Sequence, residues 1–534
     1  MVLTPKMMRK MKNKMRYFSM AVLFVAATTL MGCEKEEPAY NGDGVHYTTT
    51  VKMAGGNSKH LDAGGHKTFA EGEQIAVIYK NTNGTTVKAV SAALTSSDIH
   101  NSGKVADFSV ELENPDKTQN VTYIYPAAMA NDDGTMASIA SQDGTLASLS
   151  SDLDYCTYTG AWSAGNLPTN QTLTNQLAVC KFTVKNFGVT DITSSITSFT
   201  INDGSHTYTI TRSVAADTIY VALLPVSNAA ISFAATSNNG TTFECKVTGK
   251  TLAANKMYPI ILSMAAPFSV SSTKKVLFSH GNLRATTTDL GAHWTWSFAT
   301  NQWDKVGGKD QSGSGAQTGN NYINGNGTVS SNGTVDLFGW STSATHLGIH
   351  NSTNNSDYSG DFVDWGSAAE VTATIGTGWR TLSNTIAGGA VGEWDYLLTR
   401  RTTTSSMRFY KAQVNGVNGL IVFPDNWNNS YHSLNASYVN NNTISFENTK
   451  ITASVWNTDF EAHGAVFLPV AGQRHVDNNY VEYPNGRGHY WSSTPNNAGT
   501  AYRLYFSGSS SEWSYSIGSS RRFGYAVRLV RDAN

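Results

Sequence analysis

The sequence predicts a mainly β chain, with β-sandwiches from about residue 45 to 265 and an α+β domain from 266 onward. Three observations carry this. Charged residues make up only 14% of the 534 positions, well below the ~25% of ordinary soluble domains. Thr, Ser, Asn and Gly stand in their place, which suits strands filled by Thr, Val and Tyr and turns made by Asn and Gly. Short alternating runs recur from 45 to 265 between clusters of turn residues. Beyond 266 the texture changes, and 11 of the 12 Trp lie after residue 290. So many large rings require a thick, irregular core.

The N-terminus comes first. Residues 1–16 carry Lys6, Arg9, Lys10, Lys12, Lys14 and Arg16 without an acid, and residues 17–31 carry no charge. A basic stretch followed by an apolar stretch too short to span a bilayer reads as a secretory signal. It ends in Leu30-Met31-Gly32-Cys33. This resembles the lipobox of bacterial lipoproteins, which implies removal of residues 1–32 and lipid on the sulfur of Cys33. The acidic run Cys33-Glu34-Lys35-Glu36-Glu37 then opens a tether over 33–44. It resembles the export signal of Bacteroidota lipoproteins and implies the outer membrane, with the chain facing outward.

Without the six basic residues of the signal, 32 basic side chains face 39 acidic ones, a net charge of −7. No basic patch stands out, which excludes nucleic acid as the expected partner. About 500 residues exceed one core, so two to four domains are expected. Cys156, Cys180 and Cys245 follow the lipid site, too few and too odd for a disulfide framework. Cys180 and Cys245 sit in strand-like runs, where a cross-sandwich bridge and two buried thiols both remain open.

Strands are expected at TTTVKM (48–53), QIAVIYK (74–80), VTYIY (121–125), AVCKFTV (178–184), HTYTITR (206–212), TIYVALL (218–224) and KMYPIILS (256–263). In HTYTITR, Tyr208 and Ile210 fall on one face and Thr207, Thr209 and Thr211 on the other, as in a sheet covered on one side. No amphipathic helix is evident. A loop-like stretch over 126–175 separates two strand sets, giving sandwiches over 45–165 and 166–265. The phrases FAEGEQIAVIY (69–79), YIYPA (123–127), LTNQLAVCKFTV (173–184) and KMYPIILSM (256–264) follow in an order that resembles the fimbrillin-like proteins of Bacteroides and its relatives. That resemblance implies two transthyretin-like sandwiches and a role as pilus subunit, anchor or tip. Polymerising members end in a strand exchanged between subunits, whereas here 270 residues follow, which favours a terminal or stand-alone protein.

In the C-terminal half, VGEWDYLLTRR (391–401) predicts a helix with Trp394, Leu397 and Leu398 on one face and two arginines at its C-terminus. Strands are expected at LIVFPD (420–425), GAVFLPVAG (464–472), YWSST (490–494), YRLYF (502–506) and YAVRLVR (525–531), with long polar loops at 307–335 and 426–443. The phrases FSHGNLRA (278–285), WSFATNQWDKVG (296–307), DLFGWSTS (336–343), GWRTLS (378–383) and GAVFLPVAGQR (464–474) resemble the C-terminal domain of many Bacteroidota surface proteins. It is related to the Fibrobacter paralogous domain and, more distantly, to the C-type lectin-like and formylglycine-generating-enzyme fold. That likeness implies an α+β, C-type lectin-like domain over 266–534, with recognition carried by its loops.

No catalytic constellation is expected. Formylglycine-type chemistry needs cysteine, and residues 246–534 have none. His346 and His350 have an i, i+4 spacing but lack the glutamate of a metallopeptidase motif. Gly307–Asn321 matches no nucleotide loop and reads as a flexible loop, and NDDG (131–134) reads as a turn rather than a calcium loop. Asp425-Asn426-Trp427 and Pro495-Asn496-Asn497 have the wrong spacing for the calcium cluster of sugar-binding lectins. Tyr431, Tyr438, Tyr480 and Trp513 are aromatic contact candidates, with ordinary packing the simpler role. The expected function is non-catalytic, without cofactor or metal: adhesion, or a pilus-associated tip or accessory role. Expected partners are the outer membrane through the lipid, pilus subunits, and a host or bacterial surface protein or glycan. The alternative is a glycan-binding lipoprotein serving nutrient capture.

Overall fold

A computed structural model describes residues 44–53, 68–323, 329–349, 352, 354–385, 389–476, 480–508 and 513–533. The signal, Cys33 and nearly all of the acidic tether lie outside these residues, as does His350. Strand makes up 42% of the structure and helix 13%, so the chain is mainly β.

The first sheet has eight strands. From edge to edge they are Thr86–Val90, Ala76–Lys80, Val121–Tyr125, Cys156–Gly160, Gln171–Asn175, Val45–Met53, Val105–Leu112 and Ile99–His100. Its inward side chains, among them Val51, Phe108, Tyr123 and Tyr125, form one core with Phe69 from the loop before Ala76–Lys80. A second core lies between two further sheets. One places Ala178–Asn186 between Ile219–Leu223 and a parallel partner, Lys256–Met264, in register from Ala178↔Lys256 to Asn186↔Met264. The other runs Thr242–Leu252, Val226–Ser237, Ile196–Asn202, Thr207–Thr211 and Ser141–Gln142. Tyr208 and Ile210 are buried and the flanking threonines exposed, as the alternation requires.

The stretch 126–175 is more than a loop. It supplies Cys156–Gly160 and Gln171–Asn175 to the first sheet and Ser141–Gln142 to the second. Gln171–Asn175 buries only Leu173 and Asn175, so its polar composition hides its pairing. A helix, Leu146–Asp152, is capped by Thr145 Oγ1 accepting from the Ser148 amide. Two turns are too short to declare a 3.6-residue period. NDDG is a turn, with Gly134 at φ 83° and the Asn131 amide bonded to Thr135 O. Cys180 and Cys245 are both buried and form no disulfide with each other, and burial pushes each thiol up to about 12.

In the C-terminal half the first strands meet the last: Lys275–Phe278 and Trp379–Thr381 flank Leu529–Asp532. Seven indoles, including Trp340, Trp365, Trp456 and Trp491, are fully buried. Five of their N–H groups find partners, as in Trp340 to Ser492 O (2.8 Å) and Trp365 to Leu347 O (2.6 Å), whereas those of Trp394 and Trp427 have none among the described residues. The expected helix at 391–401 is one short turn, Glu393–Asp395, continued as a π turn, Tyr396–Arg400. Trp394, Leu397 and Leu398 are buried as predicted. The π geometry accompanies Thr399 Oγ1 donating to Asp395 O, and Thr458 does the same to Ser454 O in a second π turn, Trp456–Phe460. A hydroxyl that occupies the i−4 carbonyl displaces the ordinary ladder bond. The Gly-rich loop is fastened, since Asn320 donates to Gly307 O and Asp336, and Asn321 to Lys309 O.

The polar interior is what holds the C-terminal half in register. Arg401, fully buried, donates to Leu397 O, Phe423 O and Arg408 O and pairs with Asp425 at 2.8 Å. Asp425 in turn accepts from the Ser269 amide and hydroxyl. Elsewhere Glu461 meets His280 Nε2 at 3.0 Å and accepts from Gln302 Nε2 and Trp456 Nε1. Gln302 Oε1 accepts from Arg528, so one amide bridges a buried acid and a buried base.

The same region joins the halves. Asn186 donates to Glu461 O, Asn426 to Thr242 Oγ1, and Arg531 to Ser263 O, each within 2.9 Å. Tyr431 lies flat on His463 with centroids 3.6 Å apart. Its hydroxyl bonds to Asn239 O and Thr241, and His463 Nδ1 accepts from Asn239.

Removal of Arg401 strands the carboxylate of Asp425, so Arg401→Ala is expected to cost about 3–5 kcal/mol in urea denaturation. Burial acts to raise the pKa of Glu461, but the bond and charge of His280, with Trp456 and Gln302, outweigh it and hold the carboxyl below its usual range. Its stabilisation is therefore complete above the ordinary glutamate value of about 4.3 and lost as pH falls through the depressed one. Urea midpoints followed on acidification should drop steeply in the native chain and less so in Glu461→Gln.

Candidate functional site: an open recess on the C-terminal half

Most chemically capable side chains of this half are consumed by the interior. One place where several converge on solvent is a recess of about 310 Å³ lined by Gly291, Ala292, His293, Trp294, Thr345, His346, Ile349 and Glu370.

Three segments build it. The turn after the strand Leu283–Thr287 folds on its own hydrogen bonds: Thr287 Oγ1 accepts from Gly291 N, and Asp289 accepts from Thr287 Oγ1. Leu290 and Gly291 take left-handed backbone, φ 59° and 86°, and Asn332 Oδ1 accepts from the Leu290 amide. Asp289 then receives the His293 amide at 2.9 Å and the imidazole Nδ1 at 2.6 Å. These two bonds, backbone first, pull the Asp289 pKa down to about 2. The His293 ring is thereby aimed while its side chain stays 89% exposed. The second segment turns at Leu347 and Gly348, again with positive φ. A Cβ on Gly348 would stand 1.9 Å from Gly339 O, so only glycine lets His346 and Ile349 reach the rim. The third is the helix Ala369–Ile375, whose Glu370 accepts from the buried Trp296 Nε1 at 3.0 Å.

The recess thus offers a carboxylate, two imidazoles and a half-buried indole, Trp294. Among the described residues no three His, Cys, Asp or Glu side chains are grouped closely enough to hold a metal ion. The arrangement is built for contact with a polar ligand through hydrogen bonds and one aromatic face.

Of the residues singled out from the sequence, only His346 reaches this site. Asp425 is committed to Arg401, Asn426 to Thr242, and Trp427 is buried. Asn497 caps the turn to the next strand by accepting from Gly499 N and Thr500 N. Tyr480 stacks on His475 and Trp513 on Phe409, both at 4.8 Å, while Tyr438 packs beside Tyr410. Asp289, His293 and Glu370 escaped sequence reasoning. The Asp289 to His293 spacing was visible, but its meeting with Glu370 depends on tertiary folding.

A family model described as a domain of unknown function (DUF8237) matches residues 422–530. No curated protein matches the chain. Solved structures that it resembles include a fimbrial assembly protein from Parabacteroides distasonis, 11% identical, covering 44% of this chain and 94% of that one, with TM-score 0.25. The tip fimbrial protein Mfa3 from Porphyromonas gingivalis, with a C-terminal truncation, is 9% identical, covers 41% and 95%, and scores 0.20. A streptococcal ancillary pilin is 9% identical, covers 48% and 82%, and scores 0.16. At such scores the likeness decides nothing about this chain by itself.

The Asp289 carboxyl should titrate near 2 by NMR. His293→Ala, which removes the ring bond but keeps the backbone one, should raise that midpoint part of the way to the ordinary value of about 3.9.

Proposed function

We propose that this chain is a non-catalytic, outward-facing lipoprotein of the outer membrane that acts in adhesion, alone or as the tip or accessory protein of a pilus. In this reading Cys33 carries lipid and residues 33–44 are the tether. Residues 45–265 are two transthyretin-like sandwiches of the fimbrillin kind that exchange segments near residue 165, with 171–175 joining the first and 141–142 the second, and 266–534 is a C-type lectin-like head. Pilus subunits, or a protein or glycan on a host or bacterial surface, are its partners.

The observation that carries the reading is the recess on the loop-rich half. Its His293 and Glu370 side chains are aimed by their own partners, while Asp425, Asn426 and Trp427 are committed to the interior and the junction and Asn497 to a turn. Such a division of labour suits a domain that touches rather than transforms. Hydrogen bonds from both halves at their junction support a head presented in a set orientation by the sandwiches beneath it.

Deletion of the gene should lower attachment of cells to host cells, matrix or other bacteria. Complementation with a Trp294→Ala, Glu370→Ala variant should leave the defect. Attachment unchanged in every such assay would sink the proposal. Cys33→Ser should abolish labelling by a radioactive fatty acid and release the protein from the outer membrane.

A further inference from the structure

A second cavity lies where the two halves meet. It holds about 290 Å³ and is lined from below by Phe187, Ser263 and Ala265, and from above by residues that include Phe278, His280, Phe298, Trp379 and Arg531. This is close to the ~300 Å³ at which small-molecule sites begin, and junctions between domains are a common place for them.

Its chemistry is specific. Trp379 and Arg531 are register partners on adjacent strands. The guanidinium sits 5.2 Å from the centre of the Trp379 ring, and Phe298 meets the same indole edge-on at 5.0 Å. The Trp379 N–H is used on Ile375 O, so the ring presents only its apolar surface. Phe187, held at φ 51° with its amide on Met264 O, lies 5.6 Å from the His280 ring. Arg531 itself is only half committed. One terminal nitrogen donates to Ser263 O, yet Nε is buried without a hydrogen-bond partner. Among the described residues no carboxylate pairs with it. The adjacent Asp532 is taken by Arg380 at 2.8 Å, and Glu461 is taken by His280. A buried N–H left bare on a cation is costly, and a guanidinium fork is suited to a planar oxyanion.

We infer that this junction cavity is a binding site for a small aromatic monocarboxylate, its ring among Phe187, Phe298 and Trp379 and its carboxylate on Arg531. Aromatic rings prefer the edge-to-face and offset contacts these three offer. A charge-assisted bond from the guanidinium's terminal nitrogens, of which only one is used on Ser263 O, would hold the carboxylate. The site is separate from the exterior recess, and its occupation does not depend on the adhesive role.

Calorimetric titration of the full mature chain with phenylacetate and with its uncharged amide, phenylacetamide, tests this. For a ligand of about ten non-hydrogen atoms a Kd of roughly 10 µM to 1 mM is expected for the acid. The amide should bind at least about tenfold more weakly. Arg531→Gln should reduce the acid to the level of the amide. The comparison of the two ligands on the unaltered chain stands even if that variant folds poorly. Equal affinity for acid and amide would overturn the inference, as would no heat from the acid at about 10 mM, a level tenfold above the weakest expected Kd. Undiminished binding to a folded Arg531→Gln chain would do the same.

Discussion

The bridge made by Gln302 between Glu461 and Arg528 governs the C-terminal half. A buried acid and a buried base are each costly to desolvate, and neither is tolerated without full hydrogen bonding. Here Glu461 meets His280, Gln302 and Trp456, while Arg528 donates from its two terminal nitrogens to His280 O, Phe467 O and Gln302. These partners come from the turns that follow the strands Lys275–Phe278 and Thr295–Phe298, from the second π turn, from the strand Val466–Pro469 and from the residue just before the last strand. The polar cluster therefore defines which segments are neighbours, and the indoles fill the space around it. The same 3-10 turn, Glu461–His463, offers its backbone to Asn186 and its imidazole to Asn239 and Thr241. The interior of one half and its attachment to the other are thus one network.

The sequence disclosed what depends on local alternation and little of what depends on distant pairing. HTYTITR announced a one-sided strand because each Thr faces solvent and Tyr208 and Ile210 do not. Gln171–Asn175 stayed hidden because its neighbours in the sheet are Val45–Met53, far back in the chain, and Cys156–Gly160. The helical character of 391–401 was legible from Trp394, Leu397 and Leu398, but not its π turn, which follows the bond Thr399 makes to Asp395. Packing was the right role for most indoles, since an isolated large ring is cheaper inside than outside. Tyr431 was a contact candidate for which packing was the simpler role, and the fold packs it on His463 at the junction.

The two cavities differ for the same reason. The outer recess grows from short-range hydrogen bonding in TTDLGAHW, a signal present in the sequence although its completion by Glu370 is not. The junction cavity has no local signal at all. Phe187, Trp379 and Arg531 meet only because Lys256–Met264 delivers the chain beside Ala178–Asn186 and the last strand returns to the start of the half.

That delivery has a mechanical side. The chain crosses from the first sheet into the second core for good at the beginning of Ala178–Asn186 and leaves it at the end of Lys256–Met264, and these two strands run parallel along nine residue pairs. A pull that separates the C-terminal half from the N-terminus slides one strand lengthwise past the other. Every bond of the pairing then resists together, instead of opening one after another from an end. Were the chain held at its N-terminus and loaded through its far half, parallel pairing at this point would act as a shear clamp.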